Sequence, residues 1–391
     1  MAADERLLRG YSGRLLLTVS IGWGVLQGGR LLLSPLLPQI RADLAISNAQ
    51  AGLAFTAAWG IYALLQYPSG RISDRLSRKV LLVVGLLAAC VGFLLIAGAP
   101  VYPAFVAGAT VLGIGAGLYP TAARALVSDL FVERRGQAFG LHTASGDLGG
   151  VLSAGLATLV VAVATWRAAF GPVVVVLVLV AVGIHGWNRE PYVVGRVDLA
   201  VGRTARRILG DADLRRLLIA YALYAFTWQS AAAFLPTFLQ TAKDVSPAAA
   251  NATFAGFFVV GALVKPVAGG VADAVPRGLF APALLVVAAL TLAGVLTTSS
   301  VLAAVVGVVV FAAGLMAYPP VMQSYLMDTF PTDSMGGDLG AMRSIYIGLG
   351  ALGPTYVGAV TDAISVTTAF AGLVVALVLS AGIILTLEAR R

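Results

Sequence analysis

The chain has 391 residues, 59% of them hydrophobic and only 11% charged, against about 25% charged in a soluble domain. With a mean hydropathy of +0.92, it reads as an all-α integral membrane protein whose solvent is lipid. Cys90 is its one cysteine and His142 and His185 its only histidines, which excludes an internal disulfide and a His-based metal site; the net charge of +8 lies in scattered short loops and does not point to nucleic acid.

The charged start, MAADERLLRGYSGR, runs into a full-length apolar span, so no cleavable signal peptide is expected. A helix needs about 20 apolar residues to cross about 30 Å of hydrocarbon. On that scale residues 1–14 form an N-terminal segment. Six spans follow, near 15–37, 47–69, 80–98, 102–123, 138–163 and 168–187, within a bundle of 15–188. Residues 189–213 are a polar linker, expected to rest as a tether on anionic headgroups. Six more spans lie near 215–239, 247–269, 280–298, 301–326, 340–361 and 366–387, within a bundle of 214–388, and 389–391 form a tail.

Cationic side chains set the orientation. With the N-terminus inside, the inner loops carry Arg71, Arg75, Arg78, Lys79, Arg134, Arg135 and the arginines of the linker and tail, while the outer loops hold only Arg41, Arg167 and Lys243. Both termini are therefore expected in the cytoplasm, in the plasma membrane. Spans 3, 6, 9 and 12 have no formal charge in their interiors and are expected to face lipid. The others should surround a central path.

The two bundles repeat each other at an offset of 199 residues. Gly70 and Asp74 recur as Gly269 and Asp273, Arg78 as Arg277, Tyr119 and Pro120 as Tyr318 and Pro319, and Asp129 as Asp328; Gly140 recurs as Gly340, one residue looser. A duplicated six-helix bundle with the same charged corner in each copy suggests one half rocking against the other.

The segment GRISDRLSRK (70–79) resembles the signature of the major facilitator superfamily, G-x-x-x-D-R-x-G-R-R/K, between the second and third spans. It matches at Gly70, Asp74, Arg75, Arg78 and Lys79 and departs at Ser77, where glycine is usual. The copy after span 8 keeps Gly269, Asp273 and Arg277, with Ala274 in place of arginine. GIGAGLYP (113–120) and DLFVERRGQAFG (129–140) also look like this family's fourth helix and the loop after it. The resemblance implies twelve transmembrane helices in two pseudo-symmetric six-helix bundles, and transport by alternating access. It also implies that Asp74 faces the start of helix 11, that Arg78 bridges to Asp129, and that Asp273, Arg277 and Asp328 do the same opposite helix 5. Gly70 and Gly269 would let a neighbouring helix approach closely. These corners are expected to latch a cytoplasmic gate. Retention for membrane insertion alone would not require the aspartates.

Trp23, Gln27 and Arg30 share one face of the first span with Ser34. Arg30 stands 16 residues beyond Arg14, about 24 Å along a helix, which puts it in the outer half. It either snorkels to the outer headgroups or faces the cavity, and Gly28 and Gly29 beside it favour close packing and the cavity. Trp59 and Tyr62 on span 2, Tyr119 on span 4, Tyr224, Trp228 and Gln229 on span 7, Tyr318 on span 10 and Tyr346 on span 11 complete the candidate substrate face, where packing is an equally fitting role for an aromatic stripe. Arg343 on span 11 is either an anion-binding residue or a gate residue. Asp147 is the one carboxylate well inside a span. It is a candidate for proton coupling, or for pairing with a buried arginine.

GIGAG lies mid-span without a preceding strand, so helix packing is expected there rather than a phosphate loop. No Walker motif or Ser-His-Asp arrangement appears, and no enzyme, cofactor or metal is expected. Two buried arginines against one buried aspartate lean toward a small anionic metabolite, a carboxylate or phosphate ester, with proton coupling or exchange. Proton-driven efflux of hydrophobic drugs is the alternative within transport. A non-transporting solute receptor is the alternative of another class. The chain is expected to work as a monomer in the lipid bilayer.

Overall fold

A computed structural model describes residues 6–193, 195, 206, 208–329 and 335–390, without the side chains of Asp74 and of 335–338. The described chain is helical, with no strand. In order the helices are α1 (Gly10–Leu31), α2 (Leu37–Leu44), α3 (Asn48–Arg75), α4 (Arg78–Ala97), α5 (Tyr102–Leu130), α6 (Arg135–Val163) and, after a 3₁₀ turn at Trp166–Ala169, α7 (Phe170–Trp187). The second set is α8 (Ala212–Ala242), α9 (Pro247–Ala274), α10 (Arg277–Thr297), α11 (Val301–Thr329), α12 (Met335–Gly350), α13 (Leu352–Ala363) and α14 (Val366–Glu388).

Two expected spans are each broken into a pair of helices. The first stops at Leu31 and resumes at Leu37. Pro35 and Pro38 lack the N–H a continuing helix needs, and their rings clash with carbonyls four residues back. The eleventh is interrupted at Ala351, where Pro354 leaves the Gly350 carbonyl without its helical donor. Among the described residues, nine helices are long and apolar enough to cross a membrane on length and composition alone. The helices of spans 1, 2 and 11 fall short because they are broken or rich in polar side chains.

The chain forms two compact units. One comprises Met1–Leu33 and Ala57–Leu199, the other Ser34–Thr56 and Ala200–Arg391. Residues 34–56 of the first repeat thus belong to the unit formed by the second. Each unit uses the same pairings. In the first, α4 packs along α5, α1 along α6 and α7, and α4 along α7. In the second, α10 packs along α11, α8 along α12 and α14, and α10 along α14. This agreement, helix by helix, is the structural trace of the repeat.

Inside lipid, helices associate through close packing rather than water exclusion, and small residues permit it. A Cβ on Gly24 would lie 2.6 Å from the Ser145 carbonyl, and one on Gly28 2.7 Å from that of Gly149, so α1 and α6 touch backbone to backbone. By contrast, the large exposed side chains of α4, α7, α10 and α14 are almost all Leu and Val, as a lipid-facing surface requires.

Candidate functional site

In the first unit, α1 carries Arg30 in its last turn, because the chain breaks one residue later. That position places the guanidinium at the negative end of the helix dipole. Arg30 is 6% exposed. Its guanidinium carbon lies 3.9 Å from the centre of the Trp59 ring and 4.3 Å from that of Tyr62, both on α3. Nη1 donates to Gln27 Oε1 at 3.2 Å. Nη2 is buried and has no hydrogen-bond acceptor. No carboxylate pairs with Arg30 among the described residues. Aromatic faces satisfy a guanidinium above and below its plane but leave its edge donors unmet, which leaves the Nη2 edge without a partner among the described residues.

Trp23, two turns before Arg30, turns toward α6. Its ring stacks 6.2 Å from His142, and a Cβ on Gly146 would strike its indole nitrogen. Asp147 is buried on that same helix. Tyr119 is fully enclosed and its hydroxyl donates to the Val19 carbonyl at 2.9 Å, which gives it a packing partner within the unit.

The second unit presents a different face. Tyr221 stacks on Tyr346 with ring centres 3.9 Å apart and planes 9° off parallel. Tyr224 lies 4.6 Å from Tyr318, which also meets Tyr221 edge-on at 5.5 Å. These four tyrosines join α8, α11 and α12. Trp228 Nε1 points to Met316 Sδ at 3.4 Å. Gln229 Nε2 donates to the Ile347 carbonyl at 3.0 Å, while its Oε1 is buried without a partner. Arg343, one turn before Tyr346, is half-buried. Gln229 stands 199 residues after Arg30, so an amide occupies the position of the first unit's cation.

At the corner of the first unit where α4 begins, Arg78 bonds Asp129 at 2.7 Å and Glu190 at 3.4 Å. Glu190 also accepts the Lys79 backbone N–H at 3.1 Å, serving the first turn of α4, which has no side-chain cap of its own. Lys79 is buried, and its Nζ donates to the Asn188 carbonyl at 2.7 Å. In the second unit Arg277 bonds Asp328 and, at 3.1 Å, Asp273. Glu388 accepts from the Tyr325 hydroxyl at 3.1 Å and lies against Gly278 at the start of α10, where a Cβ would overlap its carboxylate.

Glu190 and Glu388 were not singled out in the sequence. They were detectable there, being 198 residues apart, one short of the repeat offset. Arg75 is exposed, and the side chain of Asp74 lies outside the described residues. The two corner glycines differ: a Cβ on Gly70 would meet Thr121 Cγ2 of α5 at 3.3 Å, a tight contact, and one on Gly269 nothing within 4 Å. Among the described residues no group of His, Cys, Asp and Glu could hold a metal ion.

The family model of the Major Facilitator Superfamily matches residues 19–207 and 217–391. The chain belongs to that superfamily. A bacterial homologue of the human lysosomal transporter Spinster, solved in an inward-facing and occupied conformation, superposes with a TM-score of 0.84 at 18% identity, covering 98% of this chain and 97% of that one. A D-xylose–proton symporter does so with a TM-score of 0.74 at 15% identity, covering 96% and 97%. The likeness at this identity is one of fold.

Among curated relatives, the probable sulfoacetate transporter SauU of Cupriavidus necator is 35% identical over 160 residues, 41% of this chain and 36% of that protein. The nitrite extrusion protein of Bacillus subtilis is 25% identical over 273 residues, 69% of this chain and 67% of that protein. The multidrug resistance protein MdtL of Klebsiella pneumoniae is 37% identical over 99 residues, 25% of each. The chain thus spans about a third of the length of the first of these, two thirds of the second and a quarter of the third. Its membership places it among multi-pass membrane proteins of a transporter superfamily.

Proposed function

We propose that this transporter moves a small organic anion, a carboxylate, sulfonate or phosphate ester, by alternating access. The observation that carries the reading is Arg30: a guanidinium buried in a membrane helix, stacked on Trp59 and Tyr62, with its Nη2 edge unmet. Keeping a cation inside a membrane is costly and is tolerated where it serves a pathway. Relatives named for sulfoacetate and nitrite transport both handle anions, which supports the same reading. In this scheme Gln27, Trp59 and Tyr62 hold Arg30 in place. Tyr224, Trp228, Gln229, Tyr318 and Tyr346 are the second unit's own candidate substrate contacts, and Arg343 lies one turn before Tyr346 on α12.

Asp147 is the candidate for proton coupling in uptake or exchange. The corners built on Gly70, Asp74, Arg75, Arg78 and Asp129, and on Gly269, Asp273, Arg277 and Asp328, latch the cytoplasmic gate. Both termini lie in the cytoplasm, the membrane is the plasma membrane, and the working unit is a monomer.

The test is flux in liposomes made with the purified protein, using radiolabelled sulfoacetate, nitrite and short carboxylates with and without a pH gradient. Uptake by the parent that is lost in Arg30→Ala supports the reading. Anion uptake unaffected by that change would sink it. The tyrosine cluster and the MdtL likeness favour a second reading, efflux of hydrophobic drugs. Dye efflux from the same liposomes without anion flux would select it.

A further inference from the structure

The second unit carries a contact at the end remote from the chain termini that neither the anion site nor the cytoplasmic corners explain. Helix α3 begins at Asn48, and Asp362, next to last in α13, takes up its first turn. The Asn48 N–H donates to Asp362 Oδ1 at 3.2 Å, the Asn48 side-chain Nδ2 to the same oxygen at 2.7 Å, and the Ala49 N–H to Oδ2 at 2.7 Å. A carboxylate at a helix N-terminus gains from both the unpaired N–H groups and the dipole. The contact continues inward along one face of α3. Gly52 lies against the Pro354 carbonyl with no room for a Cβ. Thr56 Oγ1 donates to the Ala351 carbonyl at 2.5 Å and meets Thr355 Oγ1 at 2.7 Å. Asn48, Gly52 and Thr56 recur every fourth residue, so the seam runs about 12 Å.

Helix α3 does not need Asp362 in order to start. Ser47 Oγ accepts from the Gln50 N–H at 3.2 Å, and Gln50 Oε1 accepts from the Ser47 N–H at 2.9 Å. This reciprocal cap belongs to α3 itself. The Asp362 bonds are additional to it, so they can break while the helix end stays capped. Asp362 is also exposed, so water can hydrate it once released. The other repeat has no equivalent. At the offset of 199, Pro247 matches Asn48 and Val163 matches Asp362. There α9 relies on its own Ser246, which accepts from the Ala249 N–H at 3.4 Å.

We propose that Asp362 is a one-sided latch that pins the start of α3 to the end of α13, keeps the Phe55–Phe234 contact covered, and lets go when that end of the second unit opens during transport. The inference rests on alternating access and not on the identity of the substrate, so its test uses none.

Phe55, buried on α3 against Phe234 at 6.1 Å between ring centres, becomes the reporter. A cysteine is placed there (Phe55→Cys) in a Cys90→Ala background, and maleimide labelling is timed in detergent micelles. Adding Asp362→Ala should speed labelling roughly three- to tenfold, the range for exposed charge-assisted bonds. Asp362→Asn, which keeps one acceptor oxygen, should give a smaller increase, and Ser246→Ala none. Should Asp362→Ala fail to accumulate, Asp362→Asn carries the test. Labelling unchanged by the Asp362 substitutions, or equally fast in Ser246→Ala, overturns the latch. An absence of anion flux in liposomes would overturn the proposed substrate class and leave this result standing.

Discussion

The polar faces of the two units began as copies and no longer resemble each other. The first carries a cation held by two aromatic rings and an amide. At the matching position the second carries Gln229, beside four packed tyrosines. The charged corners, by contrast, hold an arginine between carboxylates in both units. The ion-paired corners thus stay alike in the two units while the polar faces differ. Under the proposed function, the buried guanidinium of Arg30 suits a substrate with a charged head. The neutral, rigid tyrosine wall offers area at low entropic cost.

The sharpest way to break this contrast is to remove the charge. Arg30→Ala should lower anion transport about a hundredfold, from loss of charge-assisted hydrogen bonds. Arg30→Lys should recover little of it, because an ammonium lacks the planar edge and the stacking faces. Initial rates in liposomes decide both. Next comes Trp59→Leu, which keeps the charge and removes a ring beneath it. An apparent affinity weakened about tenfold is expected, in line with a desolvated cation–π contact, with the maximal rate less affected.

The corners supply a third comparison. Glu190→Ala uncaps α4 and removes an ion pair with Arg78, whereas Glu388→Ala removes one bond from Tyr325. Melting temperature should fall by about 4 °C for the first and about half that for the second, read by thermal unfolding in detergent. The smallest effect is reserved for the second unit's lining. Gln229→Leu loses one bond to the Ile347 carbonyl and should change transport no more than about threefold. A loss as deep as that of Arg30→Ala would erase the proposed division between charged and neutral faces.

Most of the architecture was legible in the sequence because lipid imposes a simple rule: long apolar runs, separated by charges at the membrane edge. The breaks near Pro35 and Pro354 were not read as breaks, since hydropathy continues through them. Yet the first of these breaks puts Arg30 in a terminal turn, which is central to how its charge is tolerated. The stripe of Trp23, Gln27 and Arg30 was visible as a helical face. What spacing alone could not reveal is that Trp23 turns toward α6 and His142 while Arg30 turns toward α3. Glu190 and Asp362 escaped for a related reason. Each acts on a backbone far away in the chain, and a carboxylate capping another helix leaves no local pattern. The corner glycines show the reverse case, a repeated motif with unlike surroundings, since Gly70 packs closely on Thr121 and Gly269 meets nothing within 4 Å.

Glu190 follows α7 by only a few residues, and Glu388 closes α14. Each acid therefore stands at the start of the third helix of its own repeat, on Lys79 in one and against Gly278 in the other. Severing the polypeptide within residues 196–205 would cut neither contact but would part Ser34–Thr56 from the rest of its unit, so the two pieces should yield a working carrier only when expressed together.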